Sequence, residues 1–348
     1  MSLVRRVRSR SVAAWLALAM LAAGCSGAGP AAVDSTAPGS TTPTSAGPVT
    51  SGSADTGSGD GATERYDFGE PSVEEQQLWF LANRARADPA AEGRRLAAPD
   101  DALVKDGLTA FGVDVEQLVA DFAGYPVRPP VVWDAALSAA AARHATDQAA
   151  ERTQAHRGSD GSKPAARVRA AGVAFSVLHE NISGYAHSPQ FAHDAFAIDW
   201  GGPAPTGVQE WPTPGHRFAL MSAGVAAPTN AVGMSWVGVA SGDDNYGPFV
   251  VVQEFARIDG TFVVGTVWAD ANGDEQFQWG EGVADAEVRV DGGRWLAVTL
   301  SGGGYELPLD AGTHTLTFRA PDGRSTQQTV QVGTENVLVN AELTASGG

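Results

Sequence analysis

The chain contains a single cysteine, Cys25, so no disulfide can form within it. Whatever folds must be held by buried apolar surface or by bound metal. At 348 residues there is room for two ordinary domains. Hydrophobic residues make up 43% of the chain, enough for sizeable cores once the low-complexity N-terminal part is set aside. The formal charge of −17 repels phosphate backbones, so nucleic acid is excluded as a partner. Such a surface suits cations and stays well hydrated.

The cysteine sits at a telling place. Arg5, Arg6, Arg8 and Arg10 precede an apolar run from Val12 to Leu21, which is too short to span a bilayer but has the length of a signal-peptide core. Leu21-Ala22-Ala23-Gly24-Cys25 follows and resembles a lipobox, with small residues before the cysteine that would receive the lipid. The expectation is a signal peptide over residues 1–25, removed on export, and a membrane partner through the lipid at Cys25. Ordinary cleavage near Ala23 or Ala28, giving a secreted protein, is the alternative. Residues 26–63 are Ser, Thr, Gly, Ala and Pro with almost no large apolar side chain, and they read as a disordered tether.

Organised sequence begins near Phe68 and runs to Ile258. Ser72 with Glu75 three residues later is a capping box, and the helix it starts must end near Pro89. Asp134 can cap an alanine-rich helix over about Ala135–Arg152, with Leu137, Ala141, His144 and Gln148 on one stripe. Val232–Val239 and Phe249–Phe255 read as strands joined through a turn at Gly242–Asn245. Helices first and strands later suggest an α+β domain.

Short motifs punctuate this frame: Leu81–Pro89, His144-Ala145-Thr146-Asp147-Gln148, His156, Glu180-Asn181-Ile182, Gly215-His216-Arg217, Val232-Gly233-Met234 and Gln253-Glu254-Phe255. In this order and spacing they resemble the CAP superfamily of cysteine-rich secretory and pathogenesis-related proteins. The resemblance covers residues 68–258 and implies α-β-α layers with a cleft lined by two histidines and two acids. His156, Glu180 and His216 match three of these positions. Asp199, three residues after Phe196, matches the fourth, where the family usually has glutamate, and Glu210 is a rival for that place.

Two imidazoles and two carboxylates in one cleft can hold Zn²⁺ or another divalent ion, move protons in a hydrolytic step, or tie helix to sheet as a hydrogen-bonded cluster. Glu180 is the candidate general base for the second role. No serine or cysteine occupies a nucleophile motif. His144 falls on an apolar stripe and is expected to be a satisfied buried histidine. His179, His187 and His193 have polar neighbours and read as loop or surface residues.

From residue 260 to 346 the pattern changes to short alternating strands separated by glycine turns such as Asp291-Gly292-Gly293 and Gly302-Gly303-Gly304, the signature of an all-β antiparallel sandwich. Between its first two strands, Asp270, Asn272, Asp274, Gln278 and Glu281 place oxygens at loop positions one, three, five, nine and twelve, and Gln276 can add its carbonyl. That spacing fits Ca²⁺, with Glu275 where such loops usually carry glycine. The segment resembles the calcium loops of bacterial serine-aspartate repeat surface domains. The expected whole is an extracytoplasmic, lipid-anchored protein that binds a small or apolar ligand, a lipid among the candidates, or a divalent metal. A metal-dependent hydrolase acting on peptide or envelope material and an adhesive surface protein are the alternatives.

Overall fold

The structure, a computed structural model, describes residues 64–202, 206–209, 215–240 and 246–344. The apolar run, Cys25, the tether, Glu210 and the Gly242–Asn245 turn lie outside the described residues. No described helix is long and apolar enough to cross a membrane.

A two-residue strand β1 (Glu64–Arg65) precedes four helices, α1 (Val73–Ala87), α2 (Pro89–Ala97), α3 (Ala102–Phe111) and α4 (Val115–Gly124). Then come β2 (Val132–Trp133), α5 (Ala135–Glu151), α6 (Pro164–Ala170), β3 (Val177–Ala186), α7 (Pro189–Ile198), α8 (Gly215–Met221), β4 (Ala231–Gly238) and β5 (Phe249–Arg257). The ends are set by side chains. Ser72 and Glu75 form the expected capping box at α1, and the Asp134 carboxylate accepts the Leu137 amide at 2.7 Å to start α5. Pro89 ends one helix by beginning the next, with Asp88 as its cap.

The strands form one sheet in the order β2-β4-β5-β3, so β3 is an edge. Strand alternation sends Glu180 and Glu254, which are register partners, to one face, and Asn181 and Gln253 to the other. Helix α5 covers the first face. It lies so close that a Cβ on Gly233 would sit 2.1 Å from the backbone at Leu137 and Ser138. Helices α1, α7 and α8 cover the second face, where Leu78, Trp79, Phe196, Leu220, Val232 and Phe255 share one core. The result is a three-layer α-β-α domain.

The remaining chain is β-rich: β6 (Phe262–Trp268), β7 (Glu287–Val290), β8 (Trp295–Val298), β9 (Gly304–Pro308), β10 (Gly312–Arg319), β11 (Ser325–Val332), β12 (Val337–Leu338) and β13 (Ala341–Glu342). One sheet runs β1-β8-β7-β10-β11, and the other gathers β9, β12 and β13 around β6. Val263, Val267, Tyr305 and Leu307 from one sheet pack against Val288, Ala297, Leu316 and Phe318 from the other in a single core. Most pairings are antiparallel. The short strands β1, β12 and β13 instead join in parallel, because each returns to its sheet by a long connection and not by a hairpin.

The two halves share buried polar contacts. The Trp133 amide donates to Glu306 Oε2 at 2.7 Å, and Asn336 Nδ2 donates to the carbonyls of Pro130 (3.0 Å) and Asn230 (2.7 Å). Arg257 forms a two-pronged pair with Glu335. Gln76 Oε1 on α1 accepts the Gly302 amide at 2.8 Å. Val264 belongs to the core of the first half, so apolar surface is continuous across the junction.

Candidate functional site

The four cleft residues come together two by two, one pair on each face of edge strand β3. On the α5 face, His156 Nδ1 lies 2.8 Å from Glu180 Oε1, and the other Glu180 oxygen accepts from Arg167 of α6. His156 is placed by the turn that follows α5, and its carbonyl accepts two bonds from the same guanidinium. On the opposite face, His216 Nδ1 lies 2.7 Å from Asp199 Oδ1, while Asp199 Oδ2 accepts the His216 amide at 3.0 Å. Asp199 ends α7 in a left-handed conformation (φ +56°), which turns its carboxylate toward the start of α8. Asn181 joins the two faces: it follows Glu180 on β3 and donates to the His216 carbonyl at 3.2 Å and to Gln253 at 3.1 Å.

The carboxylates are nearly fully buried, whereas the His156 and His216 side chains remain 41% and 16% exposed. In each pair a carboxylate accepts from Nδ1–H, which fixes the tautomer and leaves Nε2 as the outward atom. Neither Nε2 has a hydrogen-bond partner among the described residues. For His216 burial opposes the charge, but the adjacent Asp199 outweighs it through charge and hydrogen bond, and the pKa rises above the ordinary imidazole value.

Glu180 has a further neighbour that its motif does not advertise. Glu254, directly across the β3–β5 ladder, is wholly buried. Burial and then the charge of Glu180 push its pKa well above the carboxylate range. Burial acts on Glu180 as well, but hydrogen bonds from His156 and Glu254 and the charge of Arg167 overcome it and hold its pKa low. Glu254 is therefore the acid and Glu180 the carboxylate of a pair sharing one proton. A carboxylate held ionised in this way is a weak proton acceptor, which counts against Glu180 as a general base.

The other histidines divide differently from their sequence surroundings. His144 is buried and donates Nε2–H to the Ala155 carbonyl at 2.9 Å. Burial lowers its pKa. His193 is a correction: it is buried, not at the surface, because α7 turns it inward to within 2.9 Å of Glu92 on α2. Glu92, His193 and Asp194 are the one described trio whose ligand atoms all lie within 4.8 Å of one another. Arg84 and Arg95 already engage both Glu92 oxygens, so this trio is a buried ion-pair hub tying α1, α2 and α7 together. His179 is half-buried and set edge-on against Phe218, whereas His187 is exposed, as expected, with its ring edge-on against Phe191.

In the second half, Asp270, Asn272, Asp274, Gln276, Gln278 and Glu281 share one loop between β6 and the Trp268–Gly282 bridge. Asp270 accepts the amides of Asn272, Gly273 and Glu275, and Asp274 accepts that of Gln276. Glu281 reaches back with one oxygen to the Ala271 amide (3.0 Å) and with the other to the Gln278 amide (2.7 Å). Glu275 has φ +60°, so the position that calcium loops usually give to glycine is left-handed here too. Phe277, edge-on, and Trp279, tilted, from the same loop pack around Phe80 of α1.

Helical layers on both faces of a four-stranded sheet, with a His–acid pair on each side of its edge strand, make up this α-β-α domain. Residues 125–255 match the family model of the cysteine-rich secretory protein family, CAP. Among solved structures, a similar one is the 1.5 Å crystal structure of an extracellular protein containing an SCP domain from Bacillus anthracis strain Ames. It is 16% identical, the likeness covers 46% of this chain and 45% of that one, and the TM-score is 0.27. The chain thus spans less than half the length of that structure. No curated protein matches the chain.

Proposed function

We propose that this is an extracytoplasmic, lipid-anchored binding protein whose two outward imidazoles, His156 and His216, hold a divalent metal such as zinc or a small ligand across the edge of β3. One observation carries the reading: both rings have Nδ1 tied to a buried carboxylate. An imidazole oriented in this way offers Nε2 as a ligand atom, with the acid behind it raising its basicity. Glu180 and Asp199 then act from behind the rings and not as direct ligands. Binding is favoured over turnover because Glu180 is neutralised by Arg167 and no described group is placed as a free base beside either ring. The test is zinc calorimetry on the full chain carrying Cys25→Ser, beside His156→Ala and His216→Ala. Zinc uptake lost in both variants supports a shared site. Uptake unchanged in either variant refutes it, and no uptake in the parent directs the search to organic ligands.

Calcium at the Asp270–Glu281 loop is the second part of the proposal, supported by the oxygen spacing and the left-handed turn at Glu275. Affinity of roughly 10⁻⁴ to 10⁻³ M is expected for an extracellular module. Asp270→Ala with Asp274→Ala should abolish calcium uptake and leave zinc uptake unchanged. Calcium uptake surviving in that double variant refutes the assignment.

A further inference from the structure

Where the two halves meet, a cleft of about 390 Å³ opens between the end of α1, the extended segment Val127–Pro130 and strand β12. That volume lies within the range of small-ligand sites. Its walls are mainly apolar, from Val127, Pro129, Val337 and Leu338. Val127 is 68% exposed, one of two large apolar side chains that open widely to water among the described residues. A hydrophobic wall left open in an otherwise well-covered fold marks a place where something apolar can dock.

The polar groups of the cleft narrow the choice. Asn83 uses its amide on the Val131 carbonyl and amide group, and Asn336 uses its own on Pro130, Asn230 and Phe262. Arg128 is left. Its Nε is shielded from water with no hydrogen-bond partner, and no carboxylate pairs with its guanidinium among the described residues. Behind it, Arg86 is wholly buried and bonds only neutral oxygens, those of Leu220, Pro129 and Thr229. Burial first, and then the Arg128 charge, lower the Arg86 pKa to about 9, so the two cations feel each other. Two neighbouring guanidiniums with no acid on either among the described residues stand out in a chain of net charge −17, where carboxylates are plentiful.

We propose that this junction cleft is a second ligand site, taking an organic carboxylate with an aliphatic body: the carboxylate on Arg128, the chain along Val127, Pro129, Val337 and Leu338. A guanidinium beside low-dielectric walls attracts an anion more strongly than it would in water, and the apolar walls reject small hydrated anions. The site draws on both halves of the molecule and does not depend on the His156–His216 reading.

The probes are decanoate below the concentration at which it self-associates, decanol, and acetate, each titrated by calorimetry into the full chain carrying Cys25→Ser. Decanoate should bind about ten-fold or more tightly than either decanol, which lacks the charge, or acetate, which lacks the body. Arg128→Gln should bring decanoate down to the level of decanol. Val127→Asp, at an exposed position that does not threaten folding, should abolish it. His156→Ala with His216→Ala should leave decanoate binding unchanged. The proposal is overturned if decanoate binds no better than decanol, or if Arg128→Gln and Val127→Asp both keep the parent affinity.

Discussion

Replacing Glu254 with glutamine separates a shared proton from an ordinary buried charge. In the folded chain Glu254 faces Glu180 across the ladder, is wholly buried, and has its pKa pushed well above the carboxylate range by burial and by that neighbour. In the unfolded chain it titrates near the ordinary value of about 4.3. An acid whose folded pKa is raised favours folding fully only below the unfolded pKa. Its contribution falls as pH rises toward the folded pKa, because the unfolded state sheds the proton that the folded state keeps. Each pH unit between the unfolded and the folded pKa costs about 1.4 kcal/mol, so the parent loses stability steadily as pH rises through that window. Glu254→Gln supplies a permanent N–H donor to Glu180 and carries no such loss. Urea unfolding of both proteins at pH 5, 6 and 7 should therefore show the variant gaining steadily on the parent. The neighbouring change, Glu180→Gln, should behave oppositely: it leaves Arg167 buried without its anion, at a cost of about 3–5 kcal/mol at pH 7. A stability difference between parent and Glu254→Gln that stays flat with pH would refute the shared proton. So would equal losses for the two variants at pH 7.

Three further outcomes follow from named contacts. Asp199→Asn keeps the left-handed turn and the hydrogen-bond acceptor but removes the charge, so the His216 pKa should fall in an NMR titration; an unmoved pKa would break the assigned pairing. Glu306→Gln should raise the melting temperature at pH 8 but not at pH 4, since burial keeps the folded Glu306 pKa well above the unfolded one and glutamine still accepts the Trp133 amide; a gain at pH 4 of equal size would contradict this. Gly233→Ala drives a methyl group into the α5 backbone, which cannot rotate away, and should cost about 3 kcal/mol or more in denaturant unfolding; a cost under about 1 kcal/mol would mean that the helix–sheet spacing is wrong.

The features legible in the sequence are those that local physics decides. The caps at Ser72 and Asp134 fix their helices because the donor and acceptor lie three residues apart. Most β-strands are read from alternation in the same way. What escapes is set by partners far along the chain. His193 sits among polar residues and reads as exposed, yet its partner Glu92 lies 101 positions away, and only the packing of α7 on α2 brings them together. Glu306 occupies a polar slot in Tyr305-Glu306-Leu307, and whether that slot faces water depends on the other half of the molecule covering it.

Glu254 is the instructive case, because a signal for it does exist. Strand β5 opens Phe249-Val250-Val251-Val252, an unbroken apolar run, and such runs belong to strands covered on both faces. A carboxyl two residues further along the same strand must then be buried whichever way it points. Burial without a cation of its own forces it to hold a proton or to share one. The strand pattern thus requires an unusual acid at Glu254 before any partner is known. Only the register, which sets Glu180 opposite on the same face, tells what that acid is for: it sits beside the carboxylate that His156 and Arg167 hold by hydrogen bonds. The carboxylate that orients His156 is therefore held among three neighbours, and the ring is the part of the pair that reaches solvent.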